Sequence, residues 1–293
     1  MKFAIRYLTR YDYDADVVDN LNALRVKPAA NVRQRVDEFS VRLDPEVRIH
    51  RHDDYFGTEV VEFEISRPHR RLTIDVRARV STEPPPPPPG ATWEALRVPS
   101  YREAGGEFLL QTDDALAHPA FAELLATTGA APTPLDTVML VSQLIPDRFE
   151  YRKGATIVDS NIAHLLDVGA GVCQDFVHLG LCLLRHHGIA ARYVSGYLFA
   201  GSAARQESVE VDTHAWLEAL LPVNGAGDPV WIGAEPTNRG LASERHVKIG
   251  HGRHYPDVPP IKGVYRGRAN STHEARVTMS ALDSADPASI ARA

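Results

Sequence analysis

The chain has 293 residues, 44% of them hydrophobic, a formal net charge of −6 and two cysteines. That length buries one large core or two modest ones. An acidic balance without a sustained basic run argues against nucleic acid or an anionic membrane as partner, and two cysteines make no disulfide framework. The opening Met1-Lys2-Phe3-Ala4-Ile5-Arg6-Tyr7 alternates apolar with polar and meets Arg10 and Asp12 before any apolar run develops. Neither a signal peptide nor a membrane span is expected, which makes the expected location cytoplasmic.

Residues 1–82 read as an N-terminal β domain. Lys2 to Tyr7, Glu38 to Leu43, Val60 to Ile65 and Leu72 to Val80 have the composition or alternation of strands, and Asp44-Pro45 and Asp53 to Gly57 supply turns. The pattern suits an antiparallel sandwich. Six prolines, Pro84 to Pro89, follow within a linker at 83–95. At about 3.1 Å per residue they form a polyproline II segment of about 19 Å, a stiff spacer. From residue 96 to 280 the pattern is α+β. Helices are expected over Asp113 to Thr127 and Leu135 to Ile145, the second opened by Thr133-Pro134 as cap and first turn. A third helix starts at Cys173, repeats Phe176, Leu179, Gly180, Leu183 and Leu184 at helical spacing, and stops at His186-His187-Gly188. Strands are expected at Ala191 to Leu198, Thr213 to Leu221 and Pro229 to Ala234, and residues 281–293, rich in Ala, Ser and Asp, as a disordered tail.

Cys173 is the most informative residue. It follows Gly169-Ala170-Gly171-Val172 at the mouth of a helix, where unpaired backbone N–H groups and a partial positive charge favour thiolate and can hold an oxyanion. Cys182, nine positions on, lies half a turn around the same helix and fits a structural role. His214 and Glu235 complete the order that nucleophilic acyl transfer needs: a thiol, a base and an anion to orient the base. If Asn224-Gly225 is a two-residue type I′ loop, Val223 pairs with Ala226, His214 falls opposite Glu235, and Trp216 opposite Gly233. Imidazole and carboxylate then share one sheet face, and a one-residue slip would separate them.

Other candidate motifs carry less. Asp12, Asp14 and Asp16 alternate like a calcium loop but lack its glycine and its twelfth-position acid, and read as a solvated strand edge. Gly169-Ala170-Gly171 lacks the third glycine of a dinucleotide fingerprint. His246, His251 and His254 have no regular zinc-ligand spacing and read as loop residues, and His178 lies too far around the helix to serve Cys173. No cofactor or metal is expected.

Gly171-Val172-Cys173-Gln174-Asp175-Phe176, Gly188 to Tyr197, Thr213-His214-Ala215-Trp216-Leu217-Glu218 and Glu235-Pro236-Thr237-Asn238 together resemble the transglutaminase-like superfamily, in its bacterial branch with an N-terminal β domain. The likeness extends to Gly252 to Tyr265 and to Asp54-Tyr55-Phe56-Gly57. It implies an α+β fold: an antiparallel β-sandwich-like domain followed by a papain-like core. It also implies Cys173 as nucleophile, His214 as base and Glu235 as orienter, in a position where the family usually has Asp. The implied chemistry is acyl transfer from a protein or peptide substrate through a thioester, resolved by water or by an amine. Water is the default acceptor on chemical generality. The rival reading is a catalytically silent peptide-binding module. No second oxyanion donor can be assigned from the sequence.

Overall fold

The first strand, β1 (Lys2–Leu24), organises the N-terminal half. Its alternation puts Phe3, Ile5 and Tyr7 inside and leaves Lys2 and Arg6 exposed, as a strand with one buried face requires. The computed structural model describes residues 1–111, 117–156, 161–202, 208–223 and 227–282. Strands β2 (Gln34–Asp44), β3 (Ile49–Asp53), β4 (Glu59–Ile65) and β5 (His69–Thr82) follow β1. Its first half pairs antiparallel with β5, and its second half, beyond a register break between Asp12 and Val17, pairs with β4. Three strands from beyond residue 200, β9 (Ser208–Val211), β14 (Ile261–Arg266) and β15 (Ser271–Ala281), complete an eight-stranded sheet. The stretch read from sequence as the catalytic region therefore returns to hydrogen-bond along β1. The expected sheet edge at Asp12 to Asp16 is instead part of a central strand. Asp12 accepts from Arg71 at 2.6 Å, Asp16 accepts from Arg70 at 2.6 Å, and Asp14 accepts from Asn270.

Among the described residues, the prolines are followed by the α-helices α1 (Pro99–Gly105), α2 (Pro119–Gly129), α3 (Pro134–Arg148) and α4 (Ile162–Val168). The helix expected from Asp113 begins at Pro119, where the His118 ring accepts from the Ala120 N–H; residues 112–116 lie outside the described residues. Helix α3 opens as expected, with Thr133 Oγ1 accepting from Asp136 N–H at 3.1 Å. It continues past Ile145 through Pro146 to Arg148. The two-residue strands β6 (Glu150–Tyr151) and β7 (Ala170–Gly171) pair in parallel. Helix α5 (Cys173–His186) then starts and stops where the pattern places it, with Gly188 left-handed at φ +78°.

A second sheet runs in the order β12 (Gly240–Leu241), β11 (Val230–Glu235), β10 (Thr213–Leu221), β8 (Ala191–Leu198), β13 (His246–Gly252). Helix α5 packs on β10 and β8, burying Phe176, Leu179 and Leu183 with Val141 and Ile145 of α3. Gly180 permits that approach, because a Cβ there would lie 2.7 Å from Leu217 Cδ2. A second core joins Phe3, Ile5, Leu72 and Ile74 to Tyr197, Phe199, Val247 and Ile249. No described helix is long and apolar enough to cross a membrane. The expected disordered tail, apart from β15's last residue Ala281 and Leu282, lies outside the described residues.

Candidate active site

Local chemistry places Cys173 at the first turn of α5. Gly169, left-handed at φ +71°, ends α4 with its N–H on Leu165 O, and β7 carries the chain to Val172 in extended conformation. Asp175 then accepts from Val172 N–H at 2.8 Å and from Thr156 Oγ1 at 2.6 Å, which fixes the turn before the helix. Gly171 is required by close approach: a Cβ would lie 2.8 Å from both Asp175 Oδ2 and Leu165 Cδ1. Cys173 is left half-buried, whereas Cys182 is fully buried in the core.

The structure brings the three sequence-derived residues together. His214 Nε2 and Glu235 Oε2 are 2.6 Å apart, and Cys173 acts electrostatically on the same imidazole. With Nε2 committed to the carboxylate, Nδ1 is the nitrogen left for sulfur. Trp216 stacks on His214, ring centroids 6.3 Å apart at 26°. Gly196, opposite His214 on β8, makes room for it, since a Cβ would lie 2.5 Å from Trp216 Cη2 and closer still to the Val247 carbonyl.

The register differs from the tight-loop expectation. Leu217 pairs with Ala234 and Glu218 with Gly233, a slip of two residues, so Trp216 is not opposite Gly233. The connection spans 222–229, and Asn224 and Gly225 lie outside the described residues. A slip of two preserves the face, because side chains alternate with period two. Glu235 then lies level with Trp216 and diagonal to His214. Diagonal neighbours are about 7–8 Å apart, a span that long side chains bridge. The extra methylene of Glu relative to Asp supplies that reach.

A fourth residue joins them. His246, expected in a loop, is the first residue of β13, and its Nε2 lies 3.0 Å from the same Glu235 oxygen. Its Nδ1 accepts from Ser243 N–H at 3.0 Å, which leaves Nε2 as the donor to Glu235. Its ring meets Trp216 edge-on at 5.2 Å, and Glu235 Oε1 accepts from Thr237 N–H. The alternation His246-Val247-Lys248-Ile249 is the sequence signal for this strand. His251 also lies on β13, beside Arg192, while His254 precedes a short 3₁₀ turn and His178 accepts from Tyr255 N–H.

Electrostatics follow from these contacts. Burial alone would push His214 down, but its interactions with Cys173 and Glu235 lift it to about 10. Burial would push Glu235 up, yet bonds from His214 and His246 hold it at about 2. Tyr151 is the other residue that sequence left unassigned. The parallel pairing sets Tyr151 beside Gly171, two residues before Cys173, and the charge of Cys173 acts on its phenol. Burial first, then the charges of Cys173 and Asp212, push it up to about 12, so it remains a donor at neutral pH. The ligand atoms of His214, Glu235 and His246 lie within 4.8 Å of one another, a set that a divalent ion could use. In the hydrogen-bonded arrangement, protons occupy that position.

Residues 3–81 match the family model described as the bacterial transglutaminase-like N-terminal region, and residues 122–236 match that of the transglutaminase-like superfamily. An uncharacterised protein of Mycobacterium leprae is 32% identical over 269 residues, covering 91% of this chain and 94% of that one. Another, of Mycobacterium tuberculosis, is 32% identical over 290 residues, covering 94% and 91%. This chain belongs to the transglutaminase-like superfamily. A crystal structure from Cytophaga hutchinsonii, described as a candidate cysteine protease, superimposes with a TM-score of 0.76 over 97% of this chain and 91% of that one. At 23% identity it shows the shared fold. For a transglutaminase-like protein, the α+β architecture with an N-terminal antiparallel sheet is as expected.

Proposed function

We propose that this protein catalyses cysteine-dependent acyl transfer on peptide or amide bonds, with Cys173 as nucleophile, His214 as general base and Glu235 as the residue that orients it. The observation that carries this reading is the 2.6 Å bond between His214 and Glu235 beside a cysteine at a helix N-terminus. In the first half-reaction His214 holds the proton of the Cys173 thiol, and the sulfur attacks the substrate carbonyl carbon. The carbonyl oxygen takes up the electron pair and is stabilised by backbone N–H at the start of α5 and by the Tyr151 phenol. Collapse of that adduct breaks the carbon–nitrogen bond, His214 gives its proton to the departing amine, and a thioester remains on Cys173. In the second half-reaction water gives its proton to His214 and attacks the thioester, releasing a carboxylic acid and restoring the thiol. An amine in place of water would give a crosslink by the same residues. Hydrolysis is the assignment, because water is the acceptor always present.

The test is activity profiling on a peptide library, with and without an added primary amine, followed by mass spectrometry of the enzyme. Wild-type protein should carry an acyl adduct on Cys173, and Cys173→Ala should carry none. Iodoacetamide should label Cys173 before the buried Cys182. Retention of peptide binding with no turnover in the wild type would instead establish the silent binding module, and a product containing the amine would establish the crosslinking reaction.

A further inference from the structure

Trp216 and His246, which pack around His214 and Glu235, also line a cleft of about 700 Å³. One wall is the polyproline run, so Pro84 to Pro89 face a cavity as well as separating two parts of the chain. Val230, Trp231 and Ile232 line it from β11, and its floor is ionic. Arg192 and Lys248 both bind one oxygen of Glu218, each at 2.6 Å, and all three side chains are nearly buried. Arg192 also lies 3.9 Å over the Trp231 ring.

The charges on this floor do not balance. Two cations share one carboxylate, and His251, bonded to Arg192, is pushed down to about 3 by burial and by both cations, so it adds no charge at neutral pH. Arg33, Glu83 and Glu244 also line the cleft, which brings its charged side chains to three cations and three carboxylates, so the imbalance is confined to the buried floor. Among the described residues, Glu218 is the one side-chain partner of the Lys248 ammonium, which has three donors. Burial accordingly pushes Lys248 down to about 8 despite its ion pair. An unmatched buried cation is costly, and an arriving anion removes that cost.

We propose that this cleft is a binding site for a small amphipathic carboxylate, its head on Lys248 and Arg192 and its apolar body along Trp231 and the proline wall. The one unmatched positive charge of the buried floor calls for a monoanion, and the apolar walls call for an organic one. Both a free organic acid and the C-terminal carboxylate of a peptide have this chemistry.

Calorimetry on the full-length Cys173→Ala protein tests it, since that variant binds without turnover. The probes are phenylacetate, its neutral amide, and N-acetyl-Ala-Ala-Phe as free acid and as amide. Phenylacetate should bind about tenfold or more tightly than phenylacetamide, the factor for one charge-assisted hydrogen bond. Lys248→Met should weaken phenylacetate binding about tenfold, whereas Glu218→Gln, which unmatches a second cation, should tighten it. Opposite effects of two buried substitutions cannot arise from loss of folding. Displacement of phenylacetate by the free-acid peptide and not by its amide would assign the site to peptide termini. Failure of the peptide acid to compete would assign it to free acids. Equal binding of acid and amide, unchanged affinity in Lys248→Met, or no binding of phenylacetate at about 10 mM would overturn the proposal.

Discussion

Glu235→Gln is the most informative single perturbation, because it keeps the length and shape of the side chain while removing its charge. Lifting the His214 imidazole from 6.5 to about 10 corresponds to about 5 kcal/mol, and lowering Glu235 from 4.5 to about 2 to about 3 kcal/mol, at about 1.4 kcal/mol per pKa unit. The two figures are one attraction seen from either end, with the Cys173 contribution added on the imidazole side, so they are not summed. The smaller one belongs to Glu235, and a loss of about 3 kcal/mol of stability near neutral pH is expected, within the range for breaking a buried pair.

The pH dependence gives the sharper test. The folded-state pKa of Glu235 is depressed, so its contribution is fully present above 4.5 and disappears as pH falls toward about 2. That of His214 is raised, so its contribution is fully present below 6.5 and disappears as pH rises through about 10. The advantage of wild type over Glu235→Gln should therefore be largest between about pH 4.5 and 6.5 and shrink on both sides. Urea unfolding of both proteins across that range measures it. The catalytic loss should be about 10²–10⁴-fold in kcat/KM, since the imidazole loses the anion that orients and stabilises its cation. A stability difference that is flat with pH, or a variant within about threefold of wild-type activity, would refute the reasoning.

Three further substitutions isolate the neighbouring parts. His246→Ala should lower kcat about tenfold with KM unchanged, and His246→Gln, which restores a donor to Glu235, should recover part of the loss; equal changes in kcat and KM would mark a purely structural role. Tyr151→Phe should cost about 10²-fold in kcat through loss of one oxyanion donor, with the urea midpoint unmoved. Gly196→Ala should destabilise the protein by about 1–3 kcal/mol by driving a methyl group into Trp216 and the Val247 carbonyl, visible as a lower urea midpoint with an unchanged slope.

The start of α5 was legible because its signals are local: a glycine-rich turn, a helical repeat of apolar residues and a glycine stop all fall within twenty residues. Strands β8 and β10 were legible to the residue for the same reason. The β10–β11 register was not, because Pro222, Gly227, Asp228 and Pro229 build a connection longer than a two-residue turn, and nothing in the strands counts its length. The pairing of His214 with Glu235 survived the error because the slip was even. Neither His246 nor Tyr151 could be assigned to the site from the sequence, because their partners are set by tertiary pairing, one across the five-stranded sheet and the other through a two-residue parallel bridge. Val277, Met279 and Ala281 alternate as a strand should, but their partner β1 lies some 270 residues away in sequence, with no local signal to name it.

Strand β13 explains what the N-terminal region contributes to the site. Its odd residues, Val247 and Ile249, are buried in the core of the eight-stranded sheet, while His246 meets Glu235 and Lys248 meets Glu218. The N-terminal residues also hold its backbone directly. Gln34 of β2 donates to the Lys248 carbonyl at 2.7 Å and accepts from the Lys248 N–H at 2.8 Å, reading one residue in both directions as a paired strand would. Ala29 N–H bonds the same carbonyl, and Thr82 Oγ1 bonds the carbonyl of Glu244, two residues before His246. A catalytic constellation must be held to within about half an ångström by groups that are themselves fixed. The backbone that carries the second imidazole on Glu235 and the ammonium in the cleft is thus held by residues 29–82. That region is a buttress for the strand that carries His246 and Lys248.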